Sequence, residues 1–231
     1  MRAAIAAALL ALTACRAETA PVKPTLYVLT SLPLLFDEGF AVGPAKGEAA
    51  VFLRAHYTLK PIDLPSQLPP HATLLAAQPR ALPAEELVVL DAWVRGGGKM
   101  LLLADPMLEW RSERAFGDRM RPPLAYADTG LLLHWGLRLD APDVRGLKAV
   151  RSGDVGLVFL SPGNLVKKGG ACRLDLKDIM GKCAIGKGRS IILADADWLD
   201  VEAIKAAGGH PGDNVFSLVL LLSELGADAK L

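Results

Sequence analysis

The stretch TLLAAQPRALPAEELVVLDAWVRGGGKMLLLAD, Thr73–Asp105, decides the fold. Thr73 to Ala77 is a short apolar run of strand length. Pro83 suits a first helical turn, where its missing N–H costs nothing, and Glu85 and Glu86 sit well near the positive end of a helix dipole. Leu87, Leu90 and Val94 follow at helical spacing, and Gly96-Gly97-Gly98 ends the helix. Met100 to Ala104 is a continuous apolar run of the kind buried on both faces of a parallel sheet. Strand, helix and strand with short connections make a βαβ unit, right-handed by default. The expected class is therefore α/β, a mainly parallel sheet flanked by helices.

The flanking sequence extends this unit in both directions. Leu26 to Thr30 reads as a first strand, Gly39 to Gly47 as a loop, Glu48 to His56 as a short helix and Tyr57 to Asp63 as a strand. Pro61, Pro65, Pro69 and Pro70 then interrupt regular structure. Beyond the unit, Gly117 to Asp128 reads as an exposed loop rich in Arg and Pro. Thr129 to Trp135 reads as a short helix stopped by Gly136. From Val144 to Cys183 short strands alternate with glycine, Gly156 to Leu160 and Arg173 to Leu176 among them. This predicts a β-rich insert at about 144–188. Ser190 to Ala194 returns to a buried strand, Val201 to Ala207 is a short helix, and Asn214 to Leu225 closes the chain as a helix. Phe216, Val219, Leu220 and Ser223 fall on roughly one stripe of it. Residues 25–231 thus read as a single α/β domain carrying that insert.

The N-terminus carries an address. Arg2 precedes an apolar run, Ala3 to Ala14, about a dozen residues long and too short to cross a bilayer, which needs roughly 20. Leu12-Thr13-Ala14-Cys15 then places small residues just before a cysteine, the pattern of a bacterial lipoprotein signal. Residues 1–14 are expected to be the signal peptide, Cys15 the lipidated residue and residues 15–24 a polar tether. That localises the chain to the periplasmic face of a bacterial membrane, inner or outer. The alternative is an ordinary secretory signal in which Cys15 is incidental.

Composition agrees with a secreted, non-nucleic-acid protein. The 26 Lys and Arg against 25 Asp and Glu balance once Arg2 is removed, so no basic field steers the chain onto nucleic acid. Of three cysteines, lipidation of Cys15 leaves Cys172 and Cys183, a pair suited to a disulfide in an oxidising compartment. Two buried free thiols are the alternative. No His or further Cys lies near either in sequence, which argues against zinc.

Catalytic motifs fail on inspection. Gly181-Lys182-Cys183-Ala184-Ile185-Gly186-Lys187-Gly188 approaches a phosphate-binding P-loop, but Gly188 replaces the required Ser or Thr, and a strand follows in place of a helix. No Gly-x-Ser-x-Gly nucleophile elbow occurs. His56, His71, His134 and His210 are scattered without metal-ligand spacing, so no metal or other cofactor is expected. Asp105 and Asp195 each follow an apolar strand, with Asp197 two residues on and Asn214 at the start of the last helix. These four are the candidate cleft-binding residues, because ligands of open α/β sheets bind beyond the carboxyl ends of the strands. The competing reading is that they satisfy turn and helix-start amides. Trp110 and Trp198, beside the same turns, are either a contact surface or buried packing.

Three segments together resemble a known family. Leu82 through Val94 followed by Gly97 through Pro106, Leu131 through Leu139 with its Trp135-Gly136 pair, and Gly188 through Trp198 with its Asp-Ala-Asp-Trp ending are similar in order to the gliding-motility-type ABC transporter auxiliary domain. The closing segment, Asn214 to Leu225, extends the likeness, which spans roughly Thr73 to Leu225. The resemblance implies a fold like that of class I glutamine amidotransferases, flavodoxin-like in its layering, without their catalytic machinery. It further implies a non-catalytic extracytoplasmic accessory or binding role beside an ABC-2-type permease and its ATPase. The chain departs from the family's commoner layout by lacking a C-terminal transmembrane helix and carrying a lipoprotein signal. Two rivals stand beside this expectation: a lipoprotein hydrolase using Asp105, Asp195 or Asp197, and a structural envelope-assembly factor.

Overall fold

A computed structural model of the chain describes residues 22–38, 43–153 and 155–226. The signal segment, Cys15, most of the tether and residues 39–42 of the expected first loop lie outside the described residues.

The βαβ unit forms as its sequence dictates. Strand β3 spans Thr73–Ala77, helix α2 Ala84–Arg95 and strand β4 Lys99–Leu103. Pro83 occupies the N-cap position, one residue earlier than expected, and Gly97 at φ 117° turns the chain out of the helix. A second parallel unit precedes it: β1 (Thr25–Thr30), α1 (Glu48–His56) and β2 (Thr58–Pro61). The central sheet has seven strands in the order β2-β1-β3-β4-β11-β10-β9, where β9 is Cys172–Asp175, β10 Met180–Ile185 and β11 Gly188–Leu193. The first five strands are parallel, and β10 and β9 add an antiparallel edge.

Alternation along the central strands builds two hydrophobic layers. On one face Leu75, Ala77, Leu101, Leu103, Ile191 and Leu193 pack with Leu53 of α1 and with Leu218, Leu221 and Leu222 of the closing helix. On the other, Leu74, Ala76, Met100, Leu102 and Ile192 pack with Leu90 and Val94 of α2 and with Leu131, Leu132 and Trp135. The latter residues surround the short helix α3 (Leu131–His134), which stops at Gly136 with φ 86°. No helix among the described residues is long and apolar enough to cross a membrane.

Six strands form between Leu137 and Ile185 among the described residues. β5 (Leu137–Asp140) pairs with β8 (Asn164–Lys167), β6 (Leu147–Ser152) pairs with β7 (Val155–Leu160), and β9 and β10 join the main sheet. The P-loop-like residues are β10 itself and its hairpin into β11: Ile185 faces Gly188 across a turn made by Gly186 and Lys187. Gly186 holds φ 60°, and a Cβ on Gly188 would overlap the carbonyl oxygen of Val94. Those glycines serve a close β-turn approach to α2. Cys172 and Cys183 face each other across the β9–β10 ladder and form the predicted disulfide.

The chain ends with α4 (Val201–Ala206) and α5 (Asn214–Glu224). The inward face of α5 differs from the expected stripe. Asn214, Ser217, Leu218, Val219, Leu221 and Leu222 are buried, whereas Phe216 is 46% exposed. A helix with apolar residues most of the way round gives little contrast for periodicity to read, and two small polar residues, Asn214 and Ser217, point inward because the β6–β7 hairpin offers them partners.

Candidate functional site

The candidate residues gather where the carboxyl ends of β4 and β11 meet the hairpin β6–β7 and the start of α5. All four of Asp105, Asp195, Asp197 and Asn214 have no exposed surface. They face one another and the backbone, not solvent.

Asp105, two residues past β4, receives three backbone N–H groups. Its Oδ1 accepts from Met107 at 2.7 Å, closing an Asx turn, and its Oδ2 accepts from Ala196 at 2.9 Å and Asp197 at 3.4 Å. Asp195 accepts from Trp198 at 2.8 Å and from Leu160 of β7 at 3.2 Å. Asp197 accepts from Glu109 at 2.6 Å through Oδ2, while its buried Oδ1 meets no donor among the described residues. Asn214 accepts from Val158 N–H and donates to the carbonyls of Val158 and Trp198, each at 2.8 Å. Each side chain satisfies backbone of a neighbouring loop, so the cluster stitches the β4 and β11 ends to β7 and α5.

Three carboxyl groups in one dry place perturb each other. Burial pushes Asp105 up to about 6, against the pull of the Ala196, Met107 and Asp197 amides. Burial and then the Asp105 charge push Asp197 up to about 8. Burial, reinforced by Asp105 and Asp197, holds Asp195 well above the carboxylate range. Protonation of Asp197 removes one of the negative charges beside Asp105 and supplies a donor next to it. Among the described residues no Lys, Arg or His forms an ion pair with any of the three, and no group of acidic, His and Cys side chains has the geometry to hold a metal.

The histidines sit elsewhere. His56 stacks on Phe52 at the end of α1, and His71 occupies the turn before β3 with φ 59°. His134 approaches Arg95 at 3.1 Å and Asp91 at 3.6 Å on the α2 surface. His210 precedes α5 beside the β6–β7 hairpin. Trp198 is fully buried and Trp110 packs partly buried against the same core, so both indoles are packing.

The residue missed from sequence is Gln78, directly after β3. It is fully buried and holds φ 44°, a left-handed backbone that costs a non-glycine residue about 1 kcal/mol or more. Its amide is locked by Asp105: Oε1 accepts from Asp105 N–H at 2.9 Å, and Nε2 donates to the carbonyls of Asp105 and Pro123. Its own carbonyl accepts from the Ser31 hydroxyl. A strained residue between strand and helix is where a nucleophile elbow would put its serine or cysteine; here an amide with every arm engaged occupies it. A polar residue immediately after an apolar strand and before a proline was the available signal.

Residues 23–151 match the model of the family described as ABC-type uncharacterized transport system. No curated protein matches the chain in sequence. Among solved structures, the chain is similar to the cytoplasmic protein STM1381 from Salmonella typhimurium LT2, at TM-score 0.51 and 12% identity over 87% of this chain and 98% of that one. It is also similar to the exo-β-1,4-mannosidase Op5Man5 from Opitutaceae bacterium strain TAV5, at TM-score 0.50 and 10% identity over 90% of this chain. The chain spans only 36% of that mannosidase's length. At these identities the likeness concerns the fold alone.

Proposed function

We propose a specific role for this chain from the premise that it belongs to the ABC-type uncharacterized transport system family, and is therefore an auxiliary component of such a system: it is a non-catalytic accessory held outside the cytoplasm by a lipid on Cys15. Within the family we assign it to the gliding-motility-type subgroup, with a glutamine amidotransferase-like arrangement of its sheet. The anchor would take over the task of a membrane helix, keeping the domain beside a permease.

The observation that carries the non-catalytic reading is the state of the strand ends. Asp105, Asp195 and Asp197 are all inaccessible and engaged with loop amides, and Gln78 occupies the strained position after β3. A hydrolase would need a carboxylate within reach of a bound substrate and a partner acid or base beside it. The described residues offer neither at this cluster. At the ends of β4 and β11 these carboxylates hold the loops in place.

Two experiments bear on this reading. Metabolic labelling with a palmitate analogue should mark the wild-type chain and leave Cys15→Ala unmarked; an unlabelled wild type would remove the anchor. Crosslinking in intact cells should link the chain to an ABC permease or ATPase subunit, and repeated crosslinks to unrelated envelope proteins alone would favour the assembly-factor alternative.

A further inference from the structure

The sheet reverses its direction of winding between β1 and β3. From β1 the chain crosses through α1 to β2 on one side, and from β3 it crosses through α2 to β4 on the other, with the two helices on opposite faces. The carboxyl ends of adjacent parallel strands at such a reversal splay their following loops apart and leave a crevice. A cavity of about 370 Å³ opens there, within the size range of small-molecule sites. It is distinct from the buried Asp cluster at β4 and β11.

Its lining is apolar with few polar groups. Leu29, Leu32, Ile62 and Leu82 make walls, and Phe36 and Met120 stand at its mouth 64% and 62% exposed. The hydroxyls at the floor are already spent: Thr30 Oγ1 donates to Ala77 O, and Ser31 Oγ donates to Gln78 O. Those bonds tie the floor to Ala77 and to the strained Gln78. Two charged groups remain, Arg80 from the loop after β3 and Asp63 from the loop after β2, on either side of β1. Arg80 is placed by one hydrogen bond, Nη2 to Arg121 O at 2.9 Å, and forms no ion pair among the described residues. Its remaining N–H groups are available to a carboxylate, which a guanidinium engages with two parallel bonds. Asp63 disfavours a second negative charge across the cavity.

We infer that this crevice binds a small monocarboxylate with an apolar body, its carboxylate on Arg80 and its body between Leu29, Leu32, Ile62 and Leu82. The site stands independently of the transporter partnership, since it is read out on the isolated chain. The test is titration of the purified full chain with octanoate, 1-octanol and suberate, followed by calorimetry and by amide NMR shifts. Octanoate should bind saturably, shift the amides of residues 29–35 and 81–82, and bind more tightly than the dianionic suberate. Arg80→Gln, at an exposed position, should weaken octanoate about tenfold and leave 1-octanol unchanged. Ala81→Trp, also exposed, should fill the cavity and weaken both. Absence of saturable octanoate binding, shifts confined to other surfaces, or equal octanoate affinity in wild type and Arg80→Gln would each overturn the assignment.

Discussion

Asp105 Oδ2 accepts the backbone N–H of Ala196 at 2.9 Å, so the carboxylate after β4 holds the turn after β11, 91 residues away in sequence. The same carboxyl group caps its own loop through Met107, while Gln78 holds the Asp105 backbone N–H and carbonyl. The strand ends of this sheet are therefore bound to each other through side chains.

Removing that carboxylate should be costly. Asp105→Ala strands the buried N–H groups of Met107 and Ala196, and the expected loss is roughly 3 kcal/mol of unfolding free energy. Asp105→Asn should fall between the two, because one of its two atoms facing amide donors becomes a donor itself. Urea unfolding followed by tryptophan fluorescence would measure both.

Stability should depend on pH in an unusual direction. Asp105 at about 6 and Asp197 at about 8 lie above their unfolded value near 3.8, so between these values the folded state holds protons that the unfolded chain has released. Stability contributed by these groups is full below about pH 4 and is lost as pH rises through about 8. Asp197→Asn keeps an acceptor for Glu109 N–H and offers Asp105 a permanent donor. It should flatten the decline, which thermal melts from pH 5 to 9 would detect.

Asn214 should be the least replaceable residue of α5. It accepts from Val158 N–H and donates to Val158 O and Trp198 O. Asn214→Ala should cost about 2–4 kcal/mol, and Asn214→Asp should also destabilise by losing the two donors. Hydrogen exchange should speed up at Val158 and the β6–β7 hairpin in both variants.

The Cys172–Cys183 bridge closes a short loop of sequence separation 11 at the antiparallel edge. Its loss should cost roughly 2–3 kcal/mol, chiefly through a freer unfolded state. Because both cysteines are buried, the Cys172→Ala/Cys183→Ala double variant should fold, with a lower Tm than the oxidised chain and one no longer sensitive to reductant.

The parts of the fold legible in sequence are those where composition and position agree. Thr73–Ala77 and Glu48–His56 form the elements expected of them residue for residue, because an apolar strand-length run and a helix between a glycine-rich segment and an alternating one admit few other readings. The short strands of 144–188 were legible as strands, but their division between the main sheet and two small ladders depends on long-range pairing that no local pattern encodes. The site was half legible. Asp105, Asp195 and Asp197 stand out by their place after apolar strands, yet whether such a carboxylate faces a cleft or a neighbouring loop is decided by loops such as 195–199, which fold over it. Gln78 is not legible in sequence because a lone glutamine carries no motif; its role comes from a positive φ and from Asp105.

The place of this chain as an auxiliary subunit at a membrane transporter is open to direct biochemical test. It is tested most directly by purifying the full-length chain from native membranes in mild detergent and identifying the stoichiometric partners. An ABC permease and its ATPase should be recovered with the wild-type chain. Recovery of the lipid-anchored, folded chain with no permease or ATPase subunit would contradict it.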